Sequence, residues 1–203
     1  RNCRTLVKEA NIPNLRIVRQ ENSGVSAARN HGISLAHYEH IAFIDADDQW
    51  LPLFLEEVAC LINKFPNAGL YGTRYQIVGA ENKYIDAKIR MNDQNPDGFI
   101  IDDYFEIASQ GDIPFTMSSI VLKRSMFDKI AGFPLNEPIG EDQDLFYRIA
   151  LNYEMAYSIN IHSLYHKDAD NQASKNNVPT TECPFSVRLS AIANNNRNKK
   201  QRI

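Results

Sequence analysis

Three aspartates follow an apolar run in the segment FIDADDQW, where Asp45, Asp47 and Asp48 occupy three of four consecutive positions. Ligands in open α/β sheets bind at the carboxyl ends of strands, and the run from Ile41 to Ile44 is typical of such a strand. Mg²⁺ binds one or two carboxylates and fills its other positions with water and substrate phosphate. Because side chains alternate along an extended segment, Asp45 and Asp47 are predicted to face one metal site. The alternative is that Asp47 or Asp48 only complements the helix that begins at Pro52.

A second acidic cluster, formed by Glu141, Asp142 and Asp144 in the segment GEDQD, lies at the predicted start of another helix. A carboxylate within hydrogen-bonding distance of a substrate hydroxyl can accept its proton as a new bond forms. Asp142 is the candidate for this general base, because a helix start keeps a carboxylate ionised and holds it in place. Complementation of the helix dipole alone is again the alternative.

A third segment, QENSGVSAARNHG, runs from Gln20 to Gly32. Gly24 opens a helix whose free N–H groups and positive end can contact a phosphate or nucleotide, although one glycine does not make a phosphate-binding loop. Arg29 lies one turn further and can pair either with an anionic ligand or with a carboxylate of the chain. Asn30 and Gly32 are predicted to serve close packing against the sheet.

The elements that position these segments are predicted from apolar periodicity. In the first half, strands alternate with helices at a spacing that predicts βαβ units and a parallel core sheet. The second half is irregular, with a polar stretch at 168–179. The predicted strands cover 15–19, 41–45, 68–78, 84–90, 117–122, 155–159 and 162–166, and helices are predicted at 23–37, 52–64, 99–109, from 141 onward, and at 183–196.

Composition narrows the class of protein. The 203 residues carry a net charge of −3, with no overall excess of basic residues of the kind that indicates a nucleic-acid partner. Cys3, Cys60 and Cys183 form no CxxC pair, which favours a reducing compartment. The basic stretch from Asn194 to Arg202 predicts a solvated tail or, alternatively, a peripheral contact with anionic lipid.

Together, the segments ENSGVSAARNHGI, FIDADDQWLP and GEDQDLFYRI resemble the family 2 glycosyltransferases of the GT-A fold, in order and spacing as well as in residues. The resemblance implies an α/β fold with a Rossmann-like mixed sheet flanked by helices. One such domain is expected over residues 1–180, followed by a C-terminal helix and basic tail over 181–203.

The resemblance also implies an activity: inverting, metal-dependent transfer of a sugar from a UDP- or GDP-sugar to an acceptor hydroxyl. Asp47 is then the ligand of Mn²⁺ or Mg²⁺ on the diphosphate, and Asp45 lies near the ribose and the metal. Asp142 is the catalytic base, with Glu141 beside it near the acceptor. His166 is a further candidate metal ligand, the alternative being a strand histidine with a local hydrogen bond.

Members of this family usually begin with strands that read the nucleobase, and from the resemblance we expect this sequence to start after them. We therefore expect a sheet that lacks part of its centre, and weak nucleotide binding. A non-catalytic binding or assembly module is the alternative function. The acceptor is expected to be a glycan or a lipid-linked acceptor, in surface polysaccharide or glycan synthesis in the cytoplasm or at the inner face of the membrane. Asp48 is expected only to start the helix at Pro52.

Overall fold

The structure is a computed structural model that describes residues 14–92, 94–137, 139–167 and 183–200, the last range with side chains only to residue 192. Its five α-helices in these ranges are α1 (Gly24–Leu35), α2 (Phe54–Lys64), α3 (Tyr104–Gln110), α4 (Glu141–Ala150) and α5 (Pro184–Lys200). The strands are β1 (His40–Ala42), β2 (Gln49–Trp50), β3 (Leu70–Val78), β4 (Tyr84–Asp86), β5 (Phe99–Ile100), β6 (Ile120–Lys123) and β7 (Met155–His166).

The strands form one mixed sheet in the order β1-β6-β3-β7-β2, with β4 paired to β3 and β5 to β7. Only β3 and β7 run parallel, and all other pairs are antiparallel. The predicted parallel pairing of the first half is therefore wrong for β1, which pairs antiparallel with β6. An apolar run specifies a buried strand but carries no information on the direction of its neighbour.

Apolar side chains cover both faces of the sheet. On one face, Phe115, Leu145, Phe146 and Ile149 are fully buried and join α4 to the strands. On the other face, the apolar stripe of α2 packs on the alternate residues of the central strands, which is the arrangement expected of a sheet with helices on both sides. Phe54, Val58 and Leu61 of α2 and Tyr71 and Ala156 of the strands form this second cluster.

Residues 15–19, predicted as a strand, pair with no strand among the described residues, and Leu15, Ile17 and Val18 are more than 40% exposed. In the described part of the chain, this β-branched segment is therefore neither paired with a strand nor buried. Ile44, predicted to be buried in the sheet, is 49% exposed because β1 ends at Ala42.

Two further predictions are corrected in detail. The segment 99–109 is a short strand followed by a helix rather than one helix, because Asp103 accepts a hydrogen bond from the Glu106 N–H and caps α3. The two predicted late strands are one strand, β7, whose register with β3 shifts around Arg74. The 168–179 stretch lies outside the described residues. In the part of the chain that the structure describes, no helix has the length and apolar character needed to cross a membrane.

Candidate active site

The two acidic clusters meet in one cleft of about 590 Å³. The cleft lies beside the carboxyl-terminal halves of the parallel pair β3 and β7, where Tyr75 and Tyr165 form part of its wall. This is the edge at which open α/β sheets bind ligands. The functional candidates among its lining residues are Arg29, Asp45, Asp47, Asp48, Glu141 and Asp142.

The three aspartates of the first cluster lie on a tight turn, which we call the aspartate turn (residues 45–48). The Asp48 N–H donates to the Asp45 carbonyl at 3.1 Å, and the Asp45 N–H donates to the Ser118 hydroxyl at 3.0 Å. The prediction that an extended segment alternates these side chains is wrong. The turn instead brings all three carboxylates to the cleft, with the exposed Asp47 at its tip.

Asp48 does not start a helix, contrary to the prediction. Helix α2 begins at Phe54, and its capping residue Leu53 offers no side-chain hydrogen bond. The Oδ1 atom of Asp48 instead accepts the backbone N–H of His166 at 3.1 Å, which ties the aspartate turn to the end of β7. Burial raises the pKa of Asp48 to about 6, although hydrogen bonds with Ser118 and His166 act in the opposite direction.

Arg29 connects the two acidic clusters. Its Nη2 atom lies 2.8 and 3.0 Å from the two carboxylate oxygens of Asp45, and its Nη1 atom lies 2.8 Å from Oε1 of Glu141. The side chain is only 11% exposed. Burial alone lowers the pKa of Arg29, but Asp45 and Glu141 outweigh burial and leave the pKa above its ordinary value. Arg29 was predicted to pair either with an anionic ligand or with a carboxylate of the chain, and in the structure it pairs with carboxylates of the chain.

Helix α4 presents the second cluster from its first turn. Gly140 precedes it with φ of +88°, a conformation that favours glycine, and the next two residues face the cleft. The Oδ1 atom of Asp142 accepts the Gln143 N–H at 2.7 Å. Burial, followed by the neighbouring Glu141, raises the pKa of Asp142 to about 6, against the lowering effect of Gln143 and Arg29.

The remaining predicted site residues lie at the edges of the cleft. Gly24 begins α1 with φ of +86°, and the next residue, Val25, lines the cleft. His166 lies with Asp47 on an adjoining cavity of about 370 Å³ rather than on the main cleft.

Sequence reasoning did not identify several polar residues of the cleft, including Asp112, Thr116, Tyr165 and Lys167. Asp112 follows Gly111, and Lys167 follows the last strand residue, so both stand at ends of elements where ligand-binding residues concentrate. Neither position carries a motif. Their spacing from the acidic clusters along the chain gives no signal that they share a cavity with them.

The oxygen-rich cleft is suited to a hard cation. No group of three or more His, Cys, Asp or Glu residues forms a complete metal site among the described residues. A cation that is held mainly by water and substrate phosphate needs only one or two carboxylates. The candidates for such a donor set are Asp47, which is exposed at the cleft, and Asp45, whose carboxylate also pairs with Arg29.

Solved structures with a similar fold include residues 1–349 of TarS from S. aureus in complex with UDP-GlcNAc. The TM-score is 0.62, with 17% identity over 84% of this chain and 47% of that chain. The same TarS fragment in complex with UDP has a TM-score of 0.59, with 17% identity over 80% of this chain and 46% of that one. The likeness confirms the predicted GT-A fold. The chain spans less than half the length of these structures.

Two curated proteins share a short, well-matched segment with this chain. The uncharacterized glycosyltransferase YibD of Escherichia coli (strain K12) is 46% identical over 46 residues, 23% of this chain and 13% of that protein. The putative glycosyltransferase EpsH of Bacillus subtilis (strain 168) is 46% identical over 43 residues, 21% of this chain and 12% of that protein.

A family model described as glycosyl transferase family 2 matches residues 1–130. The match includes α1 with Arg29 and the aspartate turn, and it ends before α4. It covers more than half of the chain and contains two of the three segments that carry the resemblance, ENSGVSAARNHGI and FIDADDQWLP. The chain belongs to glycosyl transferase family 2.

Proposed function

We propose that this cleft transfers a sugar, with inversion, from a nucleotide-diphospho-sugar to an acceptor hydroxyl, and that the transfer depends on a divalent cation. The observation that carries the proposal is the meeting of the aspartate turn and the Asp142 carboxylate in one cleft, with Arg29 linking the two sides. One side is suited to the donor diphosphate and the other to proton removal from the acceptor.

The charge of the cleft supports the dependence on a cation. Among the described residues, six carboxylates line the cleft against two cations, Arg29 and Lys167. A donor diphosphate is itself negative, so it is repelled by the carboxylates unless a divalent ion lies between them. Asp47 and Asp45 would hold Mn²⁺ or Mg²⁺, which when bound stabilises the negative charge that develops on the leaving diphosphate.

Asp142 has the properties of a general base. Its raised pKa, about 6, leaves it ionised at neutral pH and makes it a stronger proton acceptor than an ordinary carboxylate. In the proposed step the acceptor oxygen forms a bond to the sugar C1 atom on the face opposite the diphosphate. The C1–O bond to the diphosphate breaks, and the hydroxyl proton passes to Asp142. Glu141, held by Arg29, forms the wall beside it.

The donor is proposed to be a UDP-sugar, because TarS, which has a similar fold, was solved with UDP-GlcNAc and with UDP. A GDP-sugar is the alternative. The acceptor is proposed to be a glycan or lipid-linked glycan of a surface polysaccharide, in the cytoplasm at the membrane face. Gly24 is proposed to contact the donor from the start of α1. His166 is proposed as a further metal ligand, because it lines the same smaller cavity as Asp47.

The decisive experiment separates binding from turnover. Calorimetric titration with UDP is performed with and without Mn²⁺ on the wild type, on Asp47→Ala and on the control Asp128→Ala, which changes an exposed aspartate outside the cleft. We expect Mn²⁺-dependent binding in the wild type and the control, and its loss in Asp47→Ala. Mn²⁺-independent binding, or equal binding by Asp47→Ala, would contradict the metal assignment.

Turnover tests the base. Asp142→Asn is expected to bind UDP and Mn²⁺ as the wild type does and to lose glycosyl transfer. Near-normal transfer by this variant would show that Asp142 is not the base. Binding by the wild type without transfer of any UDP- or GDP-sugar would favour the non-catalytic module.

A further inference from the structure

A guanidinium from α5, that of Arg188, contacts carboxylates on both sides of Asp142 in the sequence. The Nη1 and Nη2 atoms of Arg188 lie 2.6 and 2.8 Å from the two carboxylate oxygens of Glu137. Its Nε atom lies 2.7 Å from Oδ1 of Asp144. Glu137 precedes Gly140 in the loop and Asp144 follows Asp142 in the helix, so one side chain spans the segment that carries the base.

The second oxygen of Asp144 is also occupied. Arg148 donates from Nε to Asp144 Oδ2 at 2.8 Å, and its other nitrogens donate to the carbonyls of Ala131 and Gly132. Asp144 is only 8% exposed, and a buried carboxylate of this kind requires paired charges and hydrogen bonds. The ion pairs therefore fix the first turn of α4 to two other parts of the chain.

A ring of α5 packs on the same segment. The Phe185 ring lies against Gly140 so closely that a Cβ atom at position 140 would meet its Cδ1 at 2.4 Å. The ring centroid is also 5.6 Å from that of Tyr147 on α4. Phe185 and Arg188 thus contact the start of α4, and neither is among the described residues that line the cleft.

We infer that Arg188 is a positioning residue for Asp142, acting through Glu137 and Asp144. The inference rests on the proposed function, since it assigns a role in that reaction. Arg188 is not among the described residues that line the cleft, so it acts at a distance from substrate. The forked guanidinium contacts two carboxylates at once, a geometry that lysine, with a single ammonium, cannot reproduce. A misplacement of about 1 Å in a reacting group can cost on the order of 100-fold in rate.

The test uses the full chain with four changes: Arg188→Gln, Arg188→Lys, the pair Glu137→Gln with Arg188→Gln, and the control Arg124→Gln at an exposed arginine. Hydrogen exchange of the peptide 139–147 is measured first, because it does not require activity. The rate of transfer at saturating donor, the donor KM and the unfolding midpoint are then compared.

For Arg188→Gln we expect faster exchange in 139–147, a fall in kcat on the order of 10-fold to 100-fold, and a donor KM within about two-fold of wild type, because the donor side of the cleft is unchanged. The kcat of Arg188→Lys is expected to lie between those of the wild type and Arg188→Gln. The double variant is expected to be no slower than Arg188→Gln, since its two changes remove the same ion pair between residues 137 and 188. Arg124→Gln is expected to match the wild type.

Two outcomes would overturn the inference. One is wild-type exchange in 139–147 together with an unchanged kcat in Arg188→Gln. The other is a parallel loss of kcat, donor affinity and folding stability, which indicates general destabilisation instead of positioning. If the wild type transfers no sugar, the proposed function fails, while the exchange measurement still decides whether Arg188 holds the start of α4.

Discussion

Replacement of Asp142 by asparagine is expected to stabilise the fold at neutral pH while it removes the proposed base. The pKa of Asp142 rises from 3.8 to about 6, chiefly because burial opposes its charge. Two units of pKa correspond to about 3 kcal/mol, and since Asp142 as a residue is half-buried we expect a gain of about 2 kcal/mol in the free energy of unfolding. Asparagine keeps the oxygen that accepts the Gln143 N–H, so the hydrogen bond is retained.

The gain depends on pH in a direction that identifies its cause. A carboxyl group whose pKa is raised by folding holds its proton more tightly in the folded state than in the unfolded state. The wild type therefore loses stability as the pH rises from about 4 to about 6, and the loss is constant at higher pH. Asparagine does not ionise, so its advantage over aspartate is about twice as large at pH 8 as at pH 5.

Urea unfolding of Asp142→Asn and wild type at pH 5 and pH 8 measures this difference, with Asp128→Asn as the exposed control. At pH 8 the unfolding midpoint of the variant is expected to rise by about 4–8 °C in a thermal scan. The same gain at both pH values, or a loss at pH 8, would refute the claim that burial of the charge raises the pKa of Asp142.

The remaining predictions concern the two sides of the cleft. Asp47→Asn is expected to weaken UDP binding only in the presence of Mn²⁺, as calorimetry would measure, because it removes an exposed charge from the aspartate turn. Arg29→Met leaves Asp45 and Glu141 without their shared cation and is expected to destabilise the fold by about 3 kcal/mol in urea unfolding; a loss below 0.5 kcal/mol, on the order of a surface ion pair, would contradict this. Asn30→Ala removes two hydrogen bonds to the backbone of Phe133, at 2.8 Å each, and is expected to cost about 1–3 kcal/mol in the same assay.

The site residues that the sequence predicted are those whose chemistry and position at the end of a strand or helix can both be recognised from neighbouring residues. Asp142 at the start of a helix and the aspartates after a strand were both identified from spacing, and the structure brings them to one cleft. The close packing against the sheet predicted for Asn30 and Gly32 is wrong: Asn30 bonds the backbone of Phe133, which lies outside the strands, and a Cβ atom at position 32 would meet nothing within 4 Å among the described residues. The assignments of metal ligand and base stay predictions.

Contacts between distant parts of the chain were not predictable in the same way. Asp48 was assigned to a helix start because it is near one in sequence, but its partner is 118 residues away on β7. The predicted parallel direction was wrong for β1, since its antiparallel partner β6 comes from the second half of the chain. Arg188 carries no motif at all, and only the fold brings it to Glu137.

The glycines around the site have a consequence for mutational tolerance. At position 140, a side chain would meet both an unfavourable backbone conformation and the Phe185 ring, and at position 132 a Cβ atom would lie 2.3 Å from Oδ1 of Asn30. In a saturation library these two positions are expected to accept almost no replacement, although neither residue has a functional group. Sensitivity to mutation in this protein is therefore expected to extend beyond the residues that do chemistry, to positions where the absence of a side chain lets neighbouring segments pack closely.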